Sequence, residues 1–351
     1  MRFKYLSIAL LACSTLACAA GARVAGYFPY WLQYSQFTPE DVRYDFLTEV
    51  RYASMIPSES GELTFADESD APNMEKLAQL AEENKVNFII SVGGAGNEDA
   101  MRALTDDALM SAFVNSAKQA LEKYKGEGIE IDWIPEEDSD FEVFKKVVSA
   151  LADAGVAVSA NLSADASKAS SYSDVFAKFS SASVYFTDQS SAESSEKVEV
   201  NANLKDAQNV LEAYISAGLS AEKIVPIVPM YGKTFYNAKG LGSSFEGAGS
   251  GNEGAISYKE LMKSFDGPDY QVTFDEASWS EVAVSATETI TFTGIPSLKN
   301  FATYVKEKGM GGIALYDLSG DHNEPIVSLM VTVGQVLRPE VNYQPKKKKS
   351  K

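Results

Sequence analysis

Two carboxylates stand at a spacing that could support acid–base chemistry. Glu130 and Asp132 are two residues apart in the run 128–133, where apolar residues alternate with acids. On a β-strand, residues two apart project to the same side, so both carboxylates should face one space. Buried carboxylates cost free energy unless they are paired, hydrogen-bonded or protonated. We therefore expect a chemical or ligand-binding reason for this pair.

Composition excludes several alternative kinds of site. The chain has 351 residues, a net charge of −18 and one histidine, His322. The acidic balance argues against nucleic acid as a partner, because phosphate contacts need a positive surface, and it suits a neutral or cationic ligand. A lone histidine disfavours a histidine-based metal site and a Ser/His/Asp triad. We predict no cofactor and no metal.

The N-terminus has the pattern of an export signal. Arg2 and Lys4 precede a mostly apolar run from Tyr5 to Leu16, and small residues follow. This pattern predicts a signal peptide over 1–22, a secreted or cell-surface protein and no transmembrane segment in the mature chain. Both cysteines lie within this signal. The context of one of them, Cys13, leaves a lipid anchor open.

The C-terminus is rich in lysine. Residues 346–351 include five lysines on an otherwise acidic chain. We interpret 339–351 as a solvated, disordered tail. An electrostatic tether to an anionic surface or polymer is the alternative.

Strands and helices alternate through the rest of the chain. The sequence predicts strands at 24–28, 46–55, 86–92, 128–133, 156–160, 182–186, 224–229 and 312–316. Helical spacing appears at 73–84, 99–124, 140–154, 204–217, 257–264 and 297–308. Parallel neighbours need a connection of a dozen or more residues, and these intervals provide it.

The rhythm favours an α/β fold, a (β/α)₈ TIM barrel over 23–338 with a small insertion at about 236–295 between strands seven and eight. An open doubly wound sheet is the alternative, but no G-x-G-x-x-G follows the first strand. Polar residues cluster where the predicted strands end, the face at which such barrels place their sites. They are Ser91, Glu130, Asp132, Asp188, Tyr231 and Asp317.

Several motifs are specific when taken together. They are S-V-G-G at 91–94, E-G-I-E-I-D-W at 127–133, M-Y-G-K at 230–233 and the approach to the last strand at 297–313. They resemble the S-x-G-G, D-G-x-D-x-D-W-E and Y-G-R motifs of glycoside hydrolase family 18, the chitinases and chitinase-like lectins. The resemblance spans nearly all of the mature chain.

The resemblance implies a substrate-assisted site with one part missing. In this family a glutamate after the D-W pair protonates the glycosidic oxygen, and the preceding aspartate supports attack by the substrate's N-acetyl oxygen. Asp132 and Glu130 take catalytic positions, but Ile134 occupies the acid position and has no titratable proton. The motif acids at 127 and 130 are glutamates instead of aspartates.

The sugar contacts that the resemblance implies are partly altered. Thr187 replaces a tyrosine that bonds the N-acetyl group, and a tyrosine replaces the tryptophan floor of the sugar subsite. The expected substrate-binding residues are Tyr27, Trp133, Asp188, Tyr231 and Tyr316.

Three functions stay open at this point. The first is a secreted, monomeric, chitinase-like pseudoenzyme that binds chitin or other N-acetylglucosamine-containing glycans without cutting them. The second is an active glycoside hydrolase of chitinase or endo-N-acetylglucosaminidase type that uses a displaced acid such as Glu136. Pro135 redirects the chain before that residue. The third is a scaffold or surface protein that has lost sugar binding.

Overall fold

The computed structural model describes residues 21–265 and 269–343. Most of the predicted signal peptide, both cysteines and all the lysines of the predicted tail lie outside these residues. Within them, no helix is long and apolar enough to cross a membrane.

The strands follow the predicted rhythm closely. They are β1 (Arg23–Pro29), β2 (Glu49–Pro57), β3 (Leu63–Phe65), β4 (Asn87–Gly93), β5 (Gly128–Asp132), β6 (Val158–Leu162), β7 (Phe179–Val184), β8 (Ile227–Pro229), β9 (Tyr231–Tyr236), β10 (Ala255–Ser257), β11 (Gln271–Asp275), β12 (Ser280–Val284), β13 (Glu288–Phe292) and β14 (Gly312–Tyr316).

The helices up to residue 307 overlap the intervals where helical spacing predicted them, whereas the helix at 329–337 was not predicted. They are α1 (Ala71–Asn84), α2 (Glu98–Ala103), α3 (Asp107–Tyr124), α4 (Asp138–Asp153), α5 (Ala207–Ser216), α6 (Tyr258–Ser264), α7 (Ile295–Glu307) and α8 (Leu329–Leu337). The interval 99–124 divides into α2 and α3 because the Asp106 side chain accepts hydrogen bonds from the amides of Ala108 and Leu109 and so caps a new helix.

Parallel strands form a nearly closed barrel, which confirms the (β/α)₈ prediction. The strand order is β7, β6, β5, β4, β2, β1, β14, β8, and all neighbours are parallel. Parallel bridges between Ala182 and Ile224 and between Tyr185 and Ile227 bring the two edge strands together. Two crossovers lack a full α-helix: β1 reaches β2 through short 3₁₀ turns, and a 3₁₀ segment at Ala166–Lys178 connects β6 to β7.

The insertion is a second, antiparallel sheet. Its order is β10, β9, β13, β12, β11, and α6 follows β10. The sheet begins at Tyr231, two residues after β8 ends, so it starts earlier than the predicted boundary at about 236. This connection places the small sheet at the carboxyl end of the barrel strands, beside the expected site.

The interior of the barrel divides into an apolar half and a polar half. Small and apolar side chains from β1, β8 and β14 form one cluster, with Tyr27 among them. Strands β2, β4, β5, β6 and β7 instead contribute buried polar side chains. They are Glu49, Arg51, Ser91, Glu130, Ser159, Asn161, Ser181 and Ser183. Barrel interiors usually contain layers of branched apolar residues, so the polar half is a departure.

The described end of the chain is packed rather than free. Tyr343 is 5% exposed, and its ring centroid lies 5.7 Å from that of Phe46. The predicted start of a disordered tail at 339 is therefore too early.

Candidate functional site

Strand β5 places its two carboxylates at different depths. Glu130 pairs in register with Ser91 on β4 and is 0% exposed, whereas Asp132 lies opposite Gly93 and is partly exposed at the strand end. Both project into the barrel, as their spacing predicts. Only Asp132 is therefore placed to meet a ligand at the mouth.

Glu130 belongs to a buried ion pair with an arginine. Arg51 Nη1 lies 2.5 Å from Glu130 Oε1, and both side chains are 0% exposed. Tyr27 Oη donates to the same oxygen at 2.9 Å. Arg51 also donates from Nη1 to Ser183 Oγ at 2.8 Å and from Nε to Glu49 Oε1 at 2.7 Å. We call these five residues the interior ion-pair cluster.

Within this cluster, Arg51 and Glu130 each favour the charged form of the other, whereas burial disfavours both charged forms. Burial raises the pKa of Glu130 to about 7, and Arg51 works against that rise. Burial alone lowers the pKa of Arg51, but Glu130, Tyr27 and Glu49 bring it well above its usual value. The guanidinium therefore stays protonated throughout the pH range in which carboxyl groups titrate.

Asp132 is held by hydrogen bonds at the mouth of the barrel. Asn161 Nδ2 donates to Asp132 Oδ1 at 2.8 Å, and the Tyr185 side chain also hydrogen-bonds to the carboxylate. Burial raises the pKa of Asp132, and both hydrogen bonds lower it in part. The two hydrogen bonds fix the orientation of the carboxylate, while Asn161 Oδ1 is left without a partner among the described residues.

The glycine pair after β4 fits around the backbone of Asp132. The amide of Gly94 donates to the Asp132 carbonyl at 2.7 Å. Gly93 and Gly94 have φ values of +110° and +90°, a region that favours glycine. The S-V-G-G motif therefore supplies a tight turn against β5.

Ile134, where the resemblance implies a proton-donating acid, lies two residues after the end of β5. Trp133 is 4% exposed, and Ile134 is partly exposed. Pro135 is buried and Glu136 is exposed, two residues before α4 begins at Asp138. Acids in the first turn of a helix are favoured by the macrodipole, which explains Asp138 and Asp140 without a catalytic role.

A second set of polar residues lies at the rim, between the barrel and the small sheet. Tyr231 Oη donates to Asp188 Oδ2, and Lys233 Nζ lies 2.5 Å from Asp188 Oδ1. The buried Asn201 side chain accepts from the Asp188 amide at 3.0 Å and donates to the Tyr231 carbonyl at 3.1 Å. The Asp188 side chain is 52% exposed, so this rim cluster keeps polar atoms in contact with solvent.

Aromatic rings line the mouth of the barrel between Asp132 and the rim cluster. The ring of Tyr316 lies 6.0 Å from Tyr185 and 6.5 Å from Trp31, measured between centroids. Trp31 is 42% exposed. Because Tyr185 also touches Asp132, the rings connect that carboxylate to an open aromatic surface.

Asp132, Asp188, Tyr231 and Tyr316 lie near one another at the mouth, and their role in binding stays a prediction. Two expected sugar contacts take other positions. Tyr27 is 0% exposed with its hydroxyl in the interior ion-pair cluster, and the Trp133 ring lies in the core, 6.5 Å from Phe144. Neither offers a face to a ligand. Strand alternation on β1 directs the Tyr27 ring into the barrel interior, and the turn after β5 directs the Trp133 ring into the core.

The lone histidine, His322, hydrogen-bonds to the backbone two residues further along the chain. His322 Nδ1 accepts from the Glu324 amide at 3.1 Å. Among residues 21–265 and 269–343, no group of three or more histidine, cysteine, aspartate or glutamate side chains is arranged to hold a metal ion.

The sequence predicted no role for Arg51 or Asn161, and it placed Lys233 in a motif without a contact. Arg51 left a signal, because Glu49 and Arg51 are two apart within β2 and so face the same side of the strand. A charged pair inside a strand predicts a buried ionic partner. Lys233 belongs to the M-Y-G-K motif, but its partner Asp188 is not evident from that motif. No local pattern identifies Asn161, whose role depends on which strands are neighbours.

Comparison with known proteins places the chain in a family. The model of glycosyl hydrolases family 18 matches residues 23–321, and the chain belongs to that family. Endochitinase 1 of Metarhizium anisopliae is 25% identical, covering 87% of this chain and 83% of the relative. Class V chitinase CHIT5 of Lotus japonicus is 22% identical, with coverages of 83% and 82%.

Solved structures support the same fold. Catalytic domain 2 of the Group II chitinase from Ostrinia furnacalis matches with a TM-score of 0.82 at 21% identity, covering 93% of this chain and 98% of that one. A mutant class V chitinase from Cycas revoluta, solved with (GlcNAc)3, matches with a TM-score of 0.80 at 22% identity, covering 89% and 98%.

Proposed function

We propose that this protein is a secreted chitinase-like binder of chitin-type N-acetylglucosamine oligomers that does not hydrolyse them. The observation that carries the proposal is Ile134, which follows Trp133 at the end of β5 where the family has its proton donor. The site around that position keeps a carboxylate, a rim cluster and an aromatic surface.

The loss of the acid is a chemical argument against turnover. General acid catalysis contributes about 10²–10⁴-fold and needs a donor within about 3 Å of the leaving oxygen. Isoleucine has no proton to give. Glu136 is exposed in the loop that leads into α4, two residues beyond Ile134 and past Pro135, which makes it a poor substitute for the donor.

The choice of ligand is supported by the site and by the relatives. The Tyr316 and Trp31 rings offer flat apolar faces of the kind that sugar rings stack upon, and Tyr231, Lys233 and Asp188 offer hydrogen-bonding groups. The relatives are chitinases, and the Cycas revoluta chitinase was solved with (GlcNAc)3. Secretion is supported by the predicted signal peptide at 1–22.

Two measurements on the full chain test the proposal. Calorimetric titration with chitotetraose and chitohexaose should give a dissociation constant below 1 mM, stronger than about −4 kcal/mol. A fluorogenic chitobiose substrate should show no release above the rate without protein. Clear turnover would overturn the proposal in favour of an active hydrolase, and binding weaker than millimolar would favour a scaffold protein.

A further inference from the structure

The most unusual group in the barrel interior is the Arg51 guanidinium. Arg51 is 0% exposed, and its Nη1 contacts Glu130, Tyr27 and Ser183, at 2.5, 2.8 and 2.8 Å. A buried arginine costs several kcal/mol of desolvation unless it is paired with good geometry. The glutamate at 130 provides that pairing, and its extra methylene relative to aspartate extends the carboxylate.

Charged or titratable groups face Glu130 from three strands. Tyr27 comes from β1, Glu49 and Arg51 from β2, and Asp132 from β5 itself. Of these, Arg51 is the only cation among the groups that act on Glu130. Every other group favours keeping a proton on the Glu130 carboxyl or donates a hydrogen bond to it.

We propose that Arg51 is a positioning residue that binds Glu130 in an interior ion pair and holds it in a position from which it does not assist Asp132. Loss of hydrolysis would then have two separate causes, the missing acid at Ile134 and this interior ion pair. This inference rests on the proposed function and specifies why restoring the acid alone is insufficient.

The reaction that the family resemblance implies shows why the neighbouring carboxyl matters. The N-acetyl oxygen bonds to the anomeric carbon while the bond to the glycosidic oxygen breaks, and that oxygen takes the proton of the acid. Water then adds to the anomeric carbon as the bond to the N-acetyl oxygen breaks, and its proton returns to the acid. Asp132 must support positive charge on the acetamido group in between, and Glu130 is the other carboxyl of that strand.

The contacts leave Glu130 little freedom to take part. Its Oε1 accepts from both Arg51 and Tyr27, and Oε2 has no partner among the described residues. An opposite charge at hydrogen-bond distance favours the ionised carboxylate, and arginine does not give up its proton. Arg51 and Tyr27 therefore hold the Glu130 carboxyl in a fixed position beneath Asp132.

The test compares ways of restoring the acid. Ile134→Glu is made alone, with Arg51→Met and with Glu130→Asp, and each protein is assayed on the fluorogenic chitobiose substrate. We expect no turnover above the rate without protein from the single variant. Each double variant should exceed the rate without protein by at least about 10²-fold, the lower end of what a general acid supplies. Ile326→Glu is the matched control for adding a glutamate. It should give no turnover, because Ile326 is 85% exposed beside α8.

A pH profile separates a positioning role from a structural one. Removing the guanidinium removes the larger of two influences that lower the pKa of Glu130, since the Tyr27 hydrogen bond remains. The pH at which activity changes should therefore be higher in the Arg51→Met double variant than in the Glu130→Asp double variant. The Glu130→Asp variant keeps every charge, so it serves as the test if Arg51→Met does not fold, as judged by circular dichroism.

The outcomes distinguish this inference from the proposed function. Turnover by the unmodified protein would overturn the proposed function. Turnover by Ile134→Glu equal to that of the folded double variants, whether all are active or all inactive, would overturn the role of Arg51 and leave the proposed function standing.

Discussion

The interior ion-pair cluster and the rim cluster contain the same chemistry in opposite surroundings. Each joins a cation to a carboxylate at 2.5 Å and adds a tyrosine hydroxyl. The side chains of Arg51 and Glu130 are 0% exposed, whereas Lys233 and Asp188 are 15% and 52% exposed. Burial makes the first cluster part of the fold, and exposure makes the second available to a ligand.

The largest expected effect is loss of the interior cation. Arg51→Met leaves Glu130 buried without its cation, whereas Glu49 keeps its pair with Arg23 at 3.5 Å. Breaking a buried pair costs about 3–5 kcal/mol. Guanidinium chloride unfolding should show that loss. The matched control is Lys308→Met, whose pair with Glu212 also measures 2.5 Å but is 45% and 41% exposed, and it should cost less than about 1 kcal/mol. Equal losses would contradict the comparison.

The next effect is a pH dependence that belongs to Glu130. A carboxyl whose pKa is raised on folding, here to about 7, favours folding below its unfolded pKa and loses that contribution as pH rises through the folded value. The free energy of unfolding of the native protein minus that of Glu130→Gln should therefore fall by on the order of 1–3 kcal/mol from pH 4.5 to 7.5.

A control with the opposite sign is available in the same chain. Hydrogen bonding from Lys308 lowers the pKa of Glu212. The corresponding difference for Glu212→Gln should rise with pH, in an acidic window below the usual pKa of glutamate. Urea unfolding at several pH values measures both, and a flat or rising difference for Glu130→Gln would refute the first expectation.

The smallest effect on stability, and the clearest on ligand binding, is expected at the rim. Tyr231→Phe removes the hydroxyl that donates to Asp188 and should weaken chitotetraose binding about 5–30-fold, roughly 1–2 kcal/mol. Tyr270→Phe removes a hydroxyl that donates to Glu288 at 2.5 Å in the small sheet and should leave affinity unchanged. Calorimetry of both variants decides, and equal affinities would remove Tyr231 from the binding site.

Much of the architecture was readable from local pattern. The sequence shows the eight barrel strands, the clustering of polar residues at strand ends and the isoleucine at position 134. Strand alternation and family motifs are local properties, so they can be read without the fold. Strand ends were less accurate: the seventh barrel strand begins at Ile227, three residues after the predicted start.

The sequence by itself determined the family, the barrel and the absence of a proton donor at position 134. Only the tertiary structure decided what Glu130 and Tyr27 do, since both depend on Arg51 from a strand 79 residues away in sequence from Glu130. The physical reason is burial. A barrel brings distant strands together in an interior without water, and there a single cation decides whether a carboxylate acts as a reactive group or as a counter-ion.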